Sequence, residues 1–159
     1  MYPCTFKIGR TEYCCVEQYV QSEKAKLFGD RERKALIMNM RDPVAMRQLG
    51  RQVQPFDADI WNRQVEDVVK IALLGKFEQD QACRIALLAT ESKYIVECSQ
   101  DKVWGAGLRR NQVEQLAARA PIGSNVSLPG QNKLGELLMQ VRPRVQMSHL
   151  FSSLSHLPQ

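Results

Sequence analysis

The chain has 159 residues, with 22 Lys and Arg against 17 Asp and Glu, 44% hydrophobic and 25% charged. That length suits one domain and can bury a core without disulfides or metal; the composition excludes disorder for most of the chain. No apolar run reaches the ~18 residues of a membrane-spanning helix, and the N-terminus MYPCTFKIGRTE lacks the apolar stretch of a secretory signal.

Residues 5–13 (TFKIGRTEY) alternate weakly around Gly9 and read as a short hairpin or extended entry. Residues 16–28 follow a helical pattern that stops at Gly29, and 31–40 form a second short helix. Asp42-Pro43 is an N-cap followed by Pro at the first helical position, opening a third helix to about Leu49. Asp57 or Asp59 caps the longest helix, about 59–77. Its apolar residues Ile60, Trp61, Val65, Val68, Val69, Ala72 and Leu73 recur at core spacing. Asp80 starts a helix reaching Thr90. Residues 93–98 (KYIVEC) are the strongest strand pattern, alternating and β-branched. A loop with Gly105 and Gly107 follows. Asn111 with Glu114 gives a capping-box pattern for a helix over 112–120. Residues 121–131 read as loop and 132–142 as the last helix, with a loose polar tail after Pro143. The expected architecture is mainly α with a minor sheet, a single domain over 1–142 with a tail over 143–159.

The only histidines, His149 and His156, fall in that tail. A Ser-His-Asp triad, a Cys-His dyad or an HExxH zinc site is therefore excluded from the body of the domain. The cysteines Cys4, Cys14, Cys15, Cys83 and Cys98 are odd in number and include no CxxC pair, so they read as small apolar thiols in a reducing compartment, cytoplasmic or nuclear. No metal and no cofactor are expected. Charge is uneven. Residues 1–101 are balanced, and the excess comes from Lys102, Arg109, Arg110, Arg119, Lys133, Arg142 and Arg144 against Glu114 and Glu136. Such asymmetry suits an anionic partner, either small-molecule phosphates or a nucleic acid backbone; a solvated surface explains the charge equally well.

Three constellations carry chemistry. On the first helix, Glu17, Gln21 and Lys24 share a narrow stripe beside the apolar positions. Glu17 and Lys24 lie ~10 Å apart along the axis, too far to pair well but near enough to converge on a ligand. The competing structural reading is a helix edge with a snorkelling lysine. Glu97, Asp101, Trp104, Gly105 and Gly107 have the composition of a binding loop, with glycines for close approach, a flat indole face and a carboxylate for ribose hydroxyls. A turn with a core tryptophan competes with it. Gly130, Asn132, Leu134 and Gly135 open the last helix, whose N-terminal amides suit a phosphate, against ordinary capping by Asn132.

The order VEQYVQSEKA, LGRQVQPFDADIW, KFEQD, a strand ending in VEC with DKVWGAGL, then GQNKLGELLMQVR resembles the NADAR (NAD- and ADP-ribose-associated) superfamily of YbiA-like N-glycosidases over roughly residues 1–142. The resemblance implies a mostly helical fold and cleavage of N-glycosidic bonds in ribosyl conjugates. Substrates of such proteins include ADP-ribosylated guanine in nucleic acid and phosphoribosylamino intermediates of riboflavin synthesis. It implies catalytic Lys24, Glu17 and Asp101. Lys24 attacks the anomeric carbon as a Schiff-base nucleophile, Glu17 shuttles protons, and Asp101 orients ribose hydroxyls or water. Gln21, Trp104, Gly105, Gly107, Asn132 and Gly135 are its expected substrate-binding residues. The expected partners are an ADP-ribose-containing or phosphoribosyl substrate and nucleic acid carrying the modification, with no membrane. Against the family pattern, the segment expected before Tyr2-Pro3 is missing, Leu128 replaces an aromatic, and 109–127 is a variable insertion. A non-catalytic ADP-ribose reader and a nucleic-acid-binding module are the other readings.

Overall fold

The computed structural model describes residues 4–121 and 126–154. A hairpin of β1 (Phe6–Ile8) and β2 (Thr11–Tyr13) is followed by helices α1 (Val16–Leu27), α2 (Arg31–Asn39), α3 (Pro43–Arg51), α4 (Ala58–Gln79), α5 (Gln81–Leu88), α6 (Arg110–Arg119) and α7 (Lys133–Leu154). The antiparallel register is Phe6 with Tyr13, Lys7 with Glu12 and Ile8 with Thr11. Gly9, at φ +61°, makes the two-residue turn that this register requires. The expected fold class, mainly α with a minor sheet, is what the chain adopts.

Local chemistry sets most element ends. Gly29 (φ +75°) donates to Lys26 and Asp30 donates to Ala25, a paired closure that spends the last carbonyls of α1. Asp30, Asp42, Asp57 and Asp80 each accept backbone amides at the start of the following helix. Of the two candidates for α4, Asp57 is the cap.

Two hydrophobic clusters meet on α1. Tyr19 and Val20 join the hairpin, α4, α5 and α7, with Phe6, Ala72, Leu73, Leu137, Val141 and Val145 at the centre. Cys15 and Ala25 join Ile37, Met46 and Val53 of the α2–α3 side. Burying one of these larger aliphatic side chains is worth about 1.5–3 kcal/mol. At 100° per residue, Glu17, Gln21 and Lys24 fall on the seam between the two buried faces.

Three element expectations are corrected. Residues 93–98 are not in a sheet. Their alternating pattern reports a half-buried segment, but its partner is the side chain of Asn132: Glu97 N donates to Oδ1 at 2.9 Å and Nδ2 donates to Ile95 O at 2.8 Å. Helix α6 begins at Arg110, because the Gln112 side chain accepts the Arg109 amide (2.9 Å); Glu114 instead pairs with Arg110. Helix α7 neither stops at Arg142 nor gives way to a loose tail at Pro143; it continues to Leu154. Pro143 sits on the exposed face, while Leu137, Val141 and Val145 carry one buried stripe past it. His149 lies on this helix; His156 lies outside the described residues.

Candidate active site

Helix α1 is fixed in rotation by buried polar side chains. Gln18 is 3% exposed; its Oε1 accepts Cys14 N, and its Nε2 donates to the carbonyls of Ile37, Met38 and Met40. Ser22 is fully buried and donates to Tyr19 O. With these residues turned inward, the Glu17–Gln21–Lys24 stripe is held at the rim, facing α3.

The stripe and α3 meet turn by turn. Glu17 Oε1 accepts from Gln21 Nε2 at 2.8 Å, and Oε2 accepts from Arg47 at 2.9 Å. The Glu17 side chain is 12% exposed and that of Arg47 51%. One turn on, Gly50 is buried against Gln21; a Cβ there would overlap the Gln21 amide. Another step on, Arg51 acts on Lys24. The Lys24 ammonium lies 4.0 Å from the centroid of the Phe56 ring and 5.9 Å from that of Trp61. Its pKa is lowered, first by burial and second by the Arg51 charge. The Arg47 pKa is raised, first by its bond to Glu17 and more weakly by Asp101, which puts the Asp101 carboxylate in electrostatic range of this wall.

Asp101 is exposed and begins a tight loop. Its Oδ1 accepts Val103 N (2.7 Å) and Trp104 N (2.9 Å), leaving Oδ2 without a partner among the described residues. Gly105 packs where a Cβ would overlap the Ser99 hydroxyl, and Gly107 has φ +72°. Trp104 is half-buried and packs on the core, which answers to the structural reading of that residue.

The start of α7 is knitted into this loop. The amides of Gln131, Asn132, Lys133 and Leu134 donate to the carbonyls of Lys102, Gly105, Val103 and Trp104 at 2.8–3.2 Å. These amides are spent, so the expected phosphate cradle at this helix N-terminus is filled by protein. Asn132 (φ +52°) is 1% exposed with both side-chain ends bonded to residues 95–97. A Cβ on Gly135 would overlap Ile95 O, and one on Gly130 would overlap Gly105 O. The structure thus groups Glu17, Gln21 and Lys24 on one wall and places Asp101 near it, while Gly105, Asn132 and Gly135 serve as framework.

Sequence reasoning missed Arg47, Arg51 and Phe56 as members of the wall, and read Trp61 only as core. The signal was present in LGRQVQPFDADIW, where Arg51, Phe56 and Trp61 lie together, and in the four-residue spacing of the two arginines. A second cluster also escaped notice. Ligand atoms of Cys4, Asp80 and Cys83 lie within 4.8 Å of one another, Cys4 coming from far away in sequence and the other two from one turn at the start of α5. Burial pushes both thiols up, Cys4 to about 11, away from the thiolate that binds metal, and Asp80 is committed to capping α5.

Comparison with known proteins bears on the family. Residues 1–146 match the NADAR domain. The chain is 36% identical over 136 residues to an N-glycosidase of Acanthamoeba polyphaga mimivirus, covering 85% of this chain and 76% of that protein. It is 30% identical over 140 residues to N-glycosidase YbiA of Shigella flexneri, covering 87% and 74%. The NMR structure of the Escherichia coli protein YbiA superimposes with a TM-score of 0.70 at 27% identity, covering 93% of this chain and 76% of that one. The expected resemblance holds: the chain belongs to the NADAR domain family.

Proposed function

We propose that this member of the NADAR family is an N-glycosidase that removes ADP-ribose from modified guanine in nucleic acid, with Lys24 as nucleophile, Glu17 as proton carrier and Asp101 as the group that orients ribose hydroxyls or water. The names of its relatives support the N-glycosidase reading. The observation that carries the assignment of residues is the state of Lys24. It is half-buried against Phe56, lowered in pKa, and on one helical stripe with a carboxylate fixed by two donors.

The chemistry follows from those groups. Neutral Lys24 attacks the anomeric carbon while the glycosidic C–N bond breaks, and its electron pair leaves with the base. Positive charge builds on the ribose carbon, and the fixed Glu17 carboxylate stabilises it. Glu17 takes the proton released by the alkylated amine and passes one to the leaving nitrogen. The ribose ring then opens at its own oxygen, which takes the remaining amine proton to become a hydroxyl, and the nitrogen lone pair closes a Schiff base on Lys24. Water adds to that carbon, the Nζ–carbon bond breaks, and Lys24 and ADP-ribose are regenerated. Only one Asp101 oxygen remains for substrate, since the other holds the loop.

The test is a hydrolysis screen of purified chain on an ADP-ribosyl-guanine oligonucleotide, NAD and a phosphoribosylamino-pyrimidine. Release of ADP-ribose from the oligonucleotide, borohydride labelling of Lys24, and loss of both in Lys24→Ala are expected. Equal turnover by Lys24→Ala overturns the nucleophile. Cleavage of the phosphoribosylamino-pyrimidine alone replaces the substrate with a riboflavin-pathway intermediate. Thermal stabilisation by ADP-ribose without turnover of any substrate makes the chain a reader.

A further inference from the structure

The amides at the start of α7, expected to meet a phosphate, are occupied by loop carbonyls. A phosphorylated ribosyl substrate reaching Lys24 must find its counter-charge elsewhere. The α3 wall holds that charge unspent. Arg47 gives one guanidinium nitrogen to Glu17 and keeps a half-exposed edge. Arg51 is exposed, one turn further along the same helix, and has no carboxylate partner among the described residues. Instead it lies close enough to Lys24 for like charges to repel. Arg51 and Lys24 thus lie near one another, with no carboxylate paired to Arg51 among the described residues, beside an apolar floor of Phe56 and Phe28 whose rings meet at 5.2 Å.

The geometry points to an anion subsite on α3, in which Arg51 and the free edge of Arg47 receive the phosphate or diphosphate attached to the substrate ribose. Four residues of helix separate the two by ~6 Å of rise, and long guanidinium side chains at that spacing can grip both phosphates of a diphosphate. Arginine suits the task because its planar fork meets phosphate oxygens two at a time. The buried Gly50 between them brings α3 against Gln21, the residue that lies between Glu17 and Lys24 on the stripe. This inference rests on reading the Lys24 wall as the reactive one, and it sets substrate class: conjugates phosphorylated on the ribose bind here, and bare nucleosides lose the contact.

The experiment uses the full chain and two readouts. The first is pyrophosphate binding by calorimetry, which needs no turnover. Wild type binds, Arg51→Gln weakens binding tenfold or more, and Arg51→Lys falls between them. Arg110→Gln on α6, which removes an exposed arginine paired with Glu114, binds as wild type. The second is the ratio of kcat/KM on ADP-ribosyl-guanosine to that on ribosyl-guanosine, which falls at least tenfold in Arg51→Gln. Absent binding by wild type, equal binding by Arg51→Gln, or equal weakening by Arg110→Gln each overturns the subsite. Should no ribosyl conjugate be cleaved while pyrophosphate binding still depends on Arg51, the glycosidase reading fails and the subsite stands.

Discussion

Around Asn132, polar groups are turned on one another: loop carbonyls 102–105 take the first amides of α7, and the Asn132 side chain takes the main chain of 95–97. Along α1 and α3, charge is turned outward. Glu17 is fixed by two donors yet stays at the rim, Lys24 rests on aromatic rings, and Arg51 has no carboxylate partner among the described residues. The loop with its glycines, indole and helix start has the composition of a ligand site and is largely framework. The plain amphipathic helix has the composition of framework and carries the groups proposed to react. Residue type suggests a role; the state of hydrogen-bond satisfaction assigns it.

Substitutions can break this division. The largest effect is expected from Glu17→Gln, which keeps shape and removes charge. Steady-state turnover falls about 100-fold or more, while urea unfolding changes by about 1 kcal/mol or less, because Arg47 is half exposed. Intact turnover would remove the reactive role from α1. On the other side, Asn132→Ala strips two bonds from the 95–97 segment and leaves Ala at a positive φ. It costs about 2–4 kcal/mol in the same urea measurement. An unchanged midpoint would show that this region is not framework. Gly50→Ala displaces the Gln21 amide rather than backbone. Turnover drops roughly tenfold, about 1.4 kcal/mol in barrier, and the stability loss stays smaller than that of Asn132→Ala.

The pH dependence follows from Lys24. Its pKa is lowered below the ordinary 10.5, so turnover rises with pH through the lowered value. Arg51→Gln removes one of the two causes, and the rising limb moves to higher pH. Between the lowered value and 10.5 the unfolded chain holds the proton and the folded chain does not, so stability rises with pH across that interval. Lys24→Met flattens that slope in urea titrations at a series of pH values. The smallest effect belongs to Arg110→Ala, whose pair with Glu114 is 84% and 63% exposed. Its loss leaves the urea unfolding midpoint where it is in the wild type, because solvent screens the pair.

Much of this arrangement was legible because its causes are local. Gly9, Gly29, Asp42-Pro43 and Asp80 act on residues within a turn of themselves, and each feature lies where the chain says. The stripe Glu17–Gln21–Lys24 follows from helical period alone. The losses come from distance. KYIVEC reports that alternate residues are covered, and it cannot report that the cover is an asparagine about 35 residues on. Pro143 signals a stop only while Val145 goes unread as the next buried position. Arg47 and Arg51 acquire meaning from Glu17 and Lys24, which α3 reaches only after the chain has turned through α2. The Cys4–Asp80–Cys83 grouping has the same origin.

Asn132 has a consequence beyond the native fold. Residues 94–96 are aromatic and β-branched, and the alternation of 93–98 is that of a strand ready to pair. One side-chain amide occupies the main-chain positions that a neighbouring strand would claim. When α7 detaches, or when Asn132 is replaced, those positions are open to the same segment of another copy, and identical strands stack well in register. A single side chain therefore supplies to this segment hydrogen bonds that a neighbouring strand would otherwise supply.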